Sequence, residues 1–210
     1  MSKCKLFIYI SHLCKLYIGL PDLCGGVFLF YLIQLLSAFD SHRFVAMAIG
    51  TASVVHYCGE DYMTALQEVA LLEGTQYSYK CALIAEVDGQ PAGALCGYDG
   101  ALLESLRERT LEVIRKYNPA VRVLDDETEA GEFYLDSIGV LPQFRGLGIG
   151  AMLLCEMIRM AHENGHEHVA LIVEEDNPSA EKLYTRLGFR RVGTRIFFGH
   201  RMVSIRRSTY

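Results

Sequence analysis

Residues 143–150 of the chain are QFRGLGIG, which places three glycines between an apolar strand pattern and an apolar helix pattern. The strand pattern is FYLDSIGV, and the helix pattern runs from Gly148 to Asn164, where Asn164-Gly165 is a typical helix end. Glycines at such a place allow another molecule to approach the main chain closely. Because loop amides and the positive end of the helix dipole converge there, the sequence predicts a site for a phosphate or pyrophosphate.

Other phosphate-binding loops begin in a similar way. A P-loop is excluded, because no Lys-Ser/Thr pair follows the glycines. The dinucleotide-binding fingerprint G-x-G-x-x-A is matched by Gly146, Gly148 and Ala151, and an acidic residue ends the next strand pattern. Against it, Leu141 to Arg145 separate the strand from the first glycine, and the chain after Ala151 is short for the rest of such a fold.

Two segments resemble one known family. Gln143, Gly146 and Gly148 fit the pattern Q/R-x-x-G-x-G/A, and LDSIGVLPQFRGLGIGAMLL is similar to a strand, loop and helix of the GNAT superfamily of N-acetyltransferases. The segment NPSAEKLYTRLGFRRVG resembles a later block of that family, in which an Asn, a helical Tyr and a Gly-Phe pair recur. The resemblance is strong over residues 132–193, weaker over 30–131 and absent from 1–28.

The resemblance implies an α/β fold with a mixed, largely antiparallel sheet, a central splayed pair of parallel strands and flanking helices (GNAT-like). The splayed pair would be FYLDSIGV and HVALIVEE, with a kink or bulge at Gly139. We predict an N-terminal extension of unclear structure over residues 1–28 and a single acyl-CoA N-acyltransferase domain over 29–210.

Local patterns predict the other elements. Asp88-Gly89 between two apolar runs predicts a hairpin, and the tail predicts another that turns near Gly199. FYLIQLLS predicts a strand, followed by Asp40 as the cap of a helix over SHRFVAMAIG. Further helices are predicted over Glu60–Glu73, Ala101–Lys116 and Pro178–Leu187, and a polar loop over Asn118–Ala130.

The resemblance also implies that acetyl-CoA, or another acyl-CoA, is the acyl donor; no metal is expected. Loop amides would hold the pyrophosphate, the edge of the strand would pair with the pantetheine amides as an added peptide strand does, and Asn177 would contact the cofactor arm. The implied cofactor-binding residues are Ile138, Val140, Gln143, Arg145, Gly146, Leu147, Gly148, Ile149, Gly150 and Asn177.

Acyl transfer from a thioester requires a neutral amine and a proton for the departing thiolate. Tyr184 matches the tyrosine that donates this proton in the family, although it would also fit the apolar face of its helix. For the base, Glu132 stands where histone-type members carry a glutamate, and Asp136 competes from the same strand and the same side as Ile138 and Val140. A chain of water molecules is the third option.

A second motif, HENGH (His162 to His166), matches the H-E-x-x-H of zinc proteases. That motif binds zinc only when both histidines share one face of a continuous helix, and Asn164-Gly165 should end the helix between them.

Composition limits the partners and the compartment. Twenty basic and 25 acidic residues give a net charge of −5, which offers no general attraction to nucleic acid or an anionic membrane. Seven cysteines without a C-x-x-C pair indicate a reduced, cytoplasmic protein. The uncharged stretch from Leu23 to Phe39 is near the lower limit for a membrane span and is interrupted by Gly25-Gly26 and Gln34, so membrane insertion is not expected.

We therefore expect an N-acetyltransferase that transfers an acetyl group from acetyl-CoA to a small-molecule or peptide amine by direct attack in a ternary complex. A non-catalytic acyl-CoA-binding regulator and an NAD(P)-binding oxidoreductase are the alternatives. The acceptor is open, with Glu60, Asp61, Tyr77 and Tyr79 as candidates to line its site. The oligomeric state is open as well, a homodimer included.

Overall fold

The computed structural model describes residues 6–10, 15–17, 41–122 and 125–210. These residues form one mixed sheet of eight strands with helices on both faces. The strands are β1 (Leu6–Ile10), β2 (Lys15–Tyr17), β3 (Ala82–Val87), β4 (Gln90–Asp99), β5 (Phe133–Val140), β6 (His168–Glu174), β7 (Arg190–Phe197) and β8 (His200–Ser208). The helices are α1 (41–49), α2 (Thr51–Cys58), α3 (Tyr62–Leu71), α4 (Leu103–Ile114), α5 (Ile149–Glu163) and α6 (Pro178–Arg186).

The strand order across the sheet is β2-β1-β3-β4-β5-β6-β8-β7. Each neighbouring pair among them is antiparallel except β5 and β6, which are parallel. The predicted fold class, a largely antiparallel sheet with a central parallel pair, is therefore confirmed.

The parallel pair is splayed. β5 and β6 are matched only at Phe133 with Val169 and at Tyr134 with Ala170. Further along, β5 stays paired with β4 as far as Val140, and β6 stays paired with β8 as far as Glu174. A gap therefore opens inside the sheet after Tyr134.

A β-bulge lies just beyond the last matched residue of β5. Cys96 of β4 pairs with Ser137 and Gly97 pairs with Leu135, so Asp136 is the extra residue of the bulge. A bulge bends its strand and re-aims a side chain. Of the kink or bulge predicted at Gly139, the bulge is therefore wrong, because the irregularity in pairing lies three residues earlier.

Gly139 has a different structural reason. It pairs regularly with Ala94. A Cβ atom at this position would lie 2.7 Å from Cε of Met47 and 3.1 Å from the carbonyl oxygen of Phe44. Glycine therefore allows α1 to pack directly on β5.

Both predicted hairpins are confirmed. β3 and β4 are joined through Asp88 and Gly89, whose φ angles are 51° and 80°, and β7 and β8 through Phe198 and Gly199, at 52° and 74°. Positive φ at both central residues is typical of the two-residue turn that matches strand twist.

Helix boundaries follow local signals. The side chain of Asn177 accepts the backbone N–H of Ala180 at 3.1 Å and caps α6, and Gly165 follows the end of α5 with φ at 85°. Helix α2 was not predicted. Its sequence TASVVHYC contains three β-branched residues, which weaken a helical signal.

The core lies on both sides of the sheet. On one face α5 buries Leu153, Leu154 and Met157 against strands β3 to β6. On the other face α2, α3 and α4 bury residues such as Leu66 and Ile114. Each such side chain contributes roughly 1.5–3 kcal/mol when it is removed from water.

The N-terminal part is described only in β1 and β2, which lie within the predicted extension; β1 pairs with β3. The strand predicted over FYLIQLLS and the cap predicted at Asp40 lie outside the described residues. Among the residues described, no helix is long and apolar enough to cross a membrane.

Candidate active site

The loop between β5 and α5 presents its backbone at the start of the helix. Pro142–Phe144 form one 3-10 turn, and Gly146 and Gly148 both have φ at 79°, a left-handed conformation that favours glycine. Gly148 is the N-cap of α5. Because the first amides of a helix have no partner within it, this loop is suited to hold an anion.

The side chains of the other predicted loop residues are either exposed or buried. Gln143, Arg145 and Leu147 are exposed, and Nε of Arg145 donates a hydrogen bond to the carbonyl of Val140 at 3.1 Å. The side chain of Ile149 is instead buried in the core beneath α5. At Ile149, therefore, only the backbone is available to a ligand.

A cavity of about 670 Å³ occupies the gap between β5 and β6. Ile138, Val140 and Gly150 line it beside the glycine loop, and Tyr134 and Asp136 line it further along β5. Six residues of extended strand span about 20 Å. The cavity therefore runs from the glycine loop to the middle of the sheet.

Other elements complete the walls of this cavity. Asn177 and Ala180 line it from the start of α6, and Tyr77 lines it from the segment before β3. The rings of Tyr57 on α2 and Phe198 in the β7–β8 turn also line it and meet edge to face, with centroids 6.0 Å apart. The tip of the tail hairpin thus touches α2 at the cavity wall.

Tyr184 projects from α6 into the cavity wall and is 7% exposed. Its ring packs edge to face on Phe189 at 5.7 Å. Burial raises the pKa of the Tyr184 hydroxyl to about 12. The phenol therefore keeps its proton at neutral pH, as a proton donor must. Tyr184 also packs in the hydrophobic core, which is the other role that its place on the apolar face of the helix predicts.

Asp136, the bulged residue, is half-buried in the same cavity. The hydroxyl of Tyr98 donates a hydrogen bond to its Oδ2 at 3.1 Å. The pKa of the Asp136 carboxyl is raised to about 8, first by burial and then by the negative charge of Glu127; the Tyr98 hydrogen bond and Arg107 act in the opposite direction. Such a carboxyl can accept a proton near neutral pH.

Glu132 has a different environment. It precedes β5, its side chain is buried, and its Oε1 accepts the hydroxyl of Thr128 at 2.8 Å. Its carbonyl accepts the N–H of Gly100 at 2.9 Å. Glu132 lines a smaller pocket with Arg195 and is absent from the walls of the main cavity. The structure therefore places Asp136 and Tyr184 in the walls of the same cavity and Glu132 outside it.

Sequence reasoning missed a buried polar group that borders this cavity. Glu127 lies in the loop before β5, is 4% exposed, and forms an ion pair with Arg107 of α4 at 2.5 Å. Gln76 and Tyr98 donate to the same glutamate at 2.9 Å and 3.0 Å. One signal could have indicated it: Arg107 lies four residues from both Leu103 and Leu111, on the apolar face of α4, and therefore requires a buried counter-charge.

Of the four residues predicted to line the acceptor site, one lines the cavity and three do not. Tyr77 lines the cavity, whereas the hydroxyl of Tyr79 donates to Glu73 on the surface at 3.0 Å. Glu60 and Asp61 are not among the residues of the cavity wall.

The two histidines of the HENGH motif do not lie on one continuous helix. Helix α5 ends at Glu163, between the two histidines, as predicted. His162 packs on Tyr210 and His166 packs on Phe133. Across the described part of the chain, no three His, Cys, Asp or Glu side chains are grouped so that they could share a metal ion.

Comparison with known proteins agrees with this geometry. A family model described as the acetyltransferase (GNAT) family matches residues 51–189. Mycothiol acetyltransferase of Paenarthrobacter aurescens (strain TC1) is 39% identical over 69 residues, which are 33% of this chain and 21% of that protein. Mycothiol acetyltransferase of Parafrankia sp. (strain EAN1pec) is 46% identical over 61 residues, 29% of this chain and 18% of that protein. The chain thus spans about a fifth of the length of these relatives.

Solved structures match over most of the chain. A crystal structure described as an acetyltransferase is 29% identical with a TM-score of 0.69, covering 82% of this chain and 96% of that one. An N-acetyltransferase from Staphylococcus aureus Mu50 has the same TM-score and coverage at 23% identity, and this second match shows the fold alone.

Proposed function

Because the chain belongs to the GNAT family of acetyltransferases, we propose that it transfers the acetyl group of acetyl-CoA to an amine nitrogen by direct attack within a ternary complex. The observation that supports this most is the presence of Asp136 and Tyr184 in the walls of one cavity. That cavity begins beside the glycine loop and follows the gap in the sheet, so a donor and an acceptor could meet inside it.

Acetyl-CoA, when bound, supplies an activated acetyl thioester. We propose that the backbone from Arg145 to Gly150, with Gln143, holds its pyrophosphate. The absence of a side chain at Gly148 supports this, since a Cβ atom there would have no neighbour closer than 4.0 Å and the space is open. The donor groups would be the exposed amides at the start of α5.

The pantetheine arm would lie along β5. Beyond Tyr134 the edge of β5 that faces β6 has no strand partner among the described residues. Ile138 and Val140 can therefore offer backbone groups to the amides of the arm, as a sheet edge does to an added strand. Asn177 lines the same cavity from the start of α6.

Asp136 is the proposed general base. An ammonium group must lose a proton before its nitrogen can attack the thioester carbonyl. Asp136 would take that proton, directly or through water, because its carboxyl faces the cavity and its pKa of about 8 is close to the working pH. Glu132 is the weaker candidate, because its carboxylate is bound to Thr128 and borders another pocket.

Tyr184 is the proposed general acid. As the new C–N bond forms and the C–S bond breaks, its phenol would give a proton to the departing sulfur. The attacking nitrogen loses its second proton to solvent and the tyrosine regains one from solvent, so that the products are an amide and the thiol of coenzyme A. Its raised pKa of about 12 supports this role, because the phenol is protonated when it is needed.

The acceptor would be a small-molecule or peptide amine bound at the inner end of the cavity. Tyr57, Tyr77 and Phe198 line that part with aromatic rings, and Asp136 and Glu127 add carboxylates. Aromatic faces and carboxylates both favour cations. An acceptor that arrives as an ammonium ion fits this lining.

Two measurements test the proposal. Calorimetric titration with acetyl-CoA and with NAD should give binding of acetyl-CoA alone. A thiol-release assay with acetyl-CoA and a panel of polyamines, amino acids, aminoglycosides and peptides should then identify an amine that releases coenzyme A. Failure to bind any acyl-CoA would refute the donor, and binding without thiol release across the panel would refute catalysis of this transfer.

A further inference from the structure

A buried hydrogen-bonded cluster borders the cavity behind Asp136. It joins Gln76, Tyr98 of β4, Arg107 of α4 and Glu127 to that aspartate. Tyr98 is 3% exposed, Gln76 4% and Arg107 6%. Polar groups at such depth are costly unless each has a partner, so their arrangement is constrained.

Glu127 is held firmly within this cluster. Its Oε1 accepts from Nε2 of Gln76 at 2.9 Å and from the hydroxyl of Tyr98 at 3.0 Å, and its Oε2 accepts from Arg107 at 2.5 Å. Arg107 also donates to Asp126 at 2.6 Å. Both carboxylate oxygens of Glu127 are therefore held by hydrogen-bond donors within the protein.

Tyr98 lies between two acceptors. Its hydroxyl oxygen is 3.0 Å from Glu127 and 3.1 Å from Oδ2 of Asp136. A tyrosine hydroxyl has a single hydrogen, so it can donate to only one of the two at a time. Gln76 donates to the same hydroxyl oxygen at 3.1 Å, which directs the hydroxyl hydrogen towards the carboxylates.

We propose that Tyr98 is a positioning residue for Asp136: its hydroxyl hydrogen moves from Glu127 to Asp136 when Asp136 loses its proton. Gln76 and Arg107 remain on Glu127 meanwhile, so that Glu127 keeps two donors. This inference rests on the proposed role of Asp136 as the base.

The proposal gives Tyr98 and Glu127 opposite effects on the pKa of Asp136. A hydrogen bond from Tyr98 favours the charged form of Asp136 and lowers its pKa. The fixed charge of Glu127, which shares the same hydroxyl, disfavours a second carboxylate and raises the pKa.

Few other charges act on Asp136. Arg107 is the cation of the cluster and lowers the pKa of Asp136. The other groups that interact electrostatically with it are phenols and thiols whose pKa values are raised by burial, and they are therefore neutral at pH 5 to 9: Tyr57, Tyr77, Cys81, Cys96, Tyr98 and Tyr134. Glu174 and His200 also line the cavity that Asp136 faces.

The test measures the Asp136 carboxyl directly. Protein labelled with ¹³C at aspartate carboxyl carbons is titrated by NMR, and the signal of Asp136 is assigned by its loss in Asp136→Asn. Tyr98→Phe should raise the pKa by roughly one unit and Glu127→Gln should lower it by a similar amount. Matched controls are Tyr79→Phe and Glu129→Gln, which make the same chemical changes at a surface hydrogen bond and at an exposed position of the same loop.

The proposal would be overturned if the pKa of Asp136 moved in the same direction in Tyr98→Phe and Glu127→Gln, or if it did not move in Tyr98→Phe. Tyr98→Phe keeps the ring and so decides the question even if Glu127→Gln fails to fold. The pH dependence of kcat/KM separates this result from the identity of the base. If Asp136→Asn retains the acidic limb of the profile, Asp136 is not the base; if it loses that limb but Tyr98→Phe leaves the limb unmoved, only the role of Tyr98 fails.

Discussion

Replacing Asp136 by asparagine should make the protein more stable and less active, and the gain in stability should depend on pH. In the wild type, the folded state raises the pKa of this carboxyl from its ordinary 3.8 to about 8. The folded protein thus binds the proton more tightly than the unfolded chain. Stability from this group is fully present below pH 4 and is lost as the pH rises through 8. Asparagine cannot ionise, so the variant escapes that loss.

The size of the effect follows from the shift. Each pKa unit corresponds to about 1.4 kcal/mol. The gain in unfolding free energy of Asp136→Asn at pH 8 is therefore at most about 5 kcal/mol. Asp136 is half-buried and faces the cavity, where water screens its charge, so we expect about 1–3 kcal/mol. In a chain of this length that gain corresponds to a rise in Tm of roughly 2–12 °C.

Urea unfolding of wild type and Asp136→Asn at pH 5, 6, 7 and 8 measures this difference in free energy. It should be small at pH 5 and grow towards pH 8, while kcat/KM should fall by about 10²–10⁴-fold. Asp125→Asn, which alters an exposed carboxylate, is the matched control and should leave both unchanged. A stability difference that stays constant from pH 5 to pH 8 would contradict the argument.

Three further changes test other parts of the site. Gly148→Val should abolish acetyl-CoA binding in calorimetry. Its control is Gly165→Val, which has a similarly positive φ at the other end of α5 and should lower stability but bind acetyl-CoA normally. Equal binding by both variants would show that the glycine loop is not part of the binding site. Tyr184→Phe should lower kcat by about 10²–10⁴-fold without changing acetyl-CoA affinity, and an unchanged kcat would leave Tyr184 with its packing role alone. Phe198→Ala removes the contact with Tyr57 and should raise KM for the amine while sparing that for acetyl-CoA; an unchanged KM would place the acceptor elsewhere.

Much of the fold could be predicted because its signals are local. The turn at Asp88-Gly89 and the caps of α6 at Asn177 and Gly188 each depend on residues that are adjacent in sequence. The bulge was placed wrongly because glycine in a strand has two explanations. At Gly139 the reason is the close approach of α1, which is a contact over almost a hundred residues of sequence.

The cluster behind Asp136 could not be predicted for the same reason. Gln76, Tyr98, Arg107 and Glu127 lie in four separate segments, and only the folded sheet brings them together. Glu127 in particular lies in a polar, acidic loop, where the simplest expectation for a glutamate is exposure to solvent.

The alternating pattern of a strand could not decide between Glu132 and Asp136 as the base. Side chains alternate along a strand, so residues 132, 136, 138 and 140 would all share one side. The structure separates the two acids because β5 begins only at Phe133, and Glu132 turns back to Thr128. Asp136, in contrast, is the bulged residue, and the bulge lies where β5 and β6 part. A bulge bends its strand and re-aims the side chain. The bulge in β5 therefore lies at the gap where acetyl-CoA would enter the sheet, and it turns the carboxylate of Asp136 towards that gap.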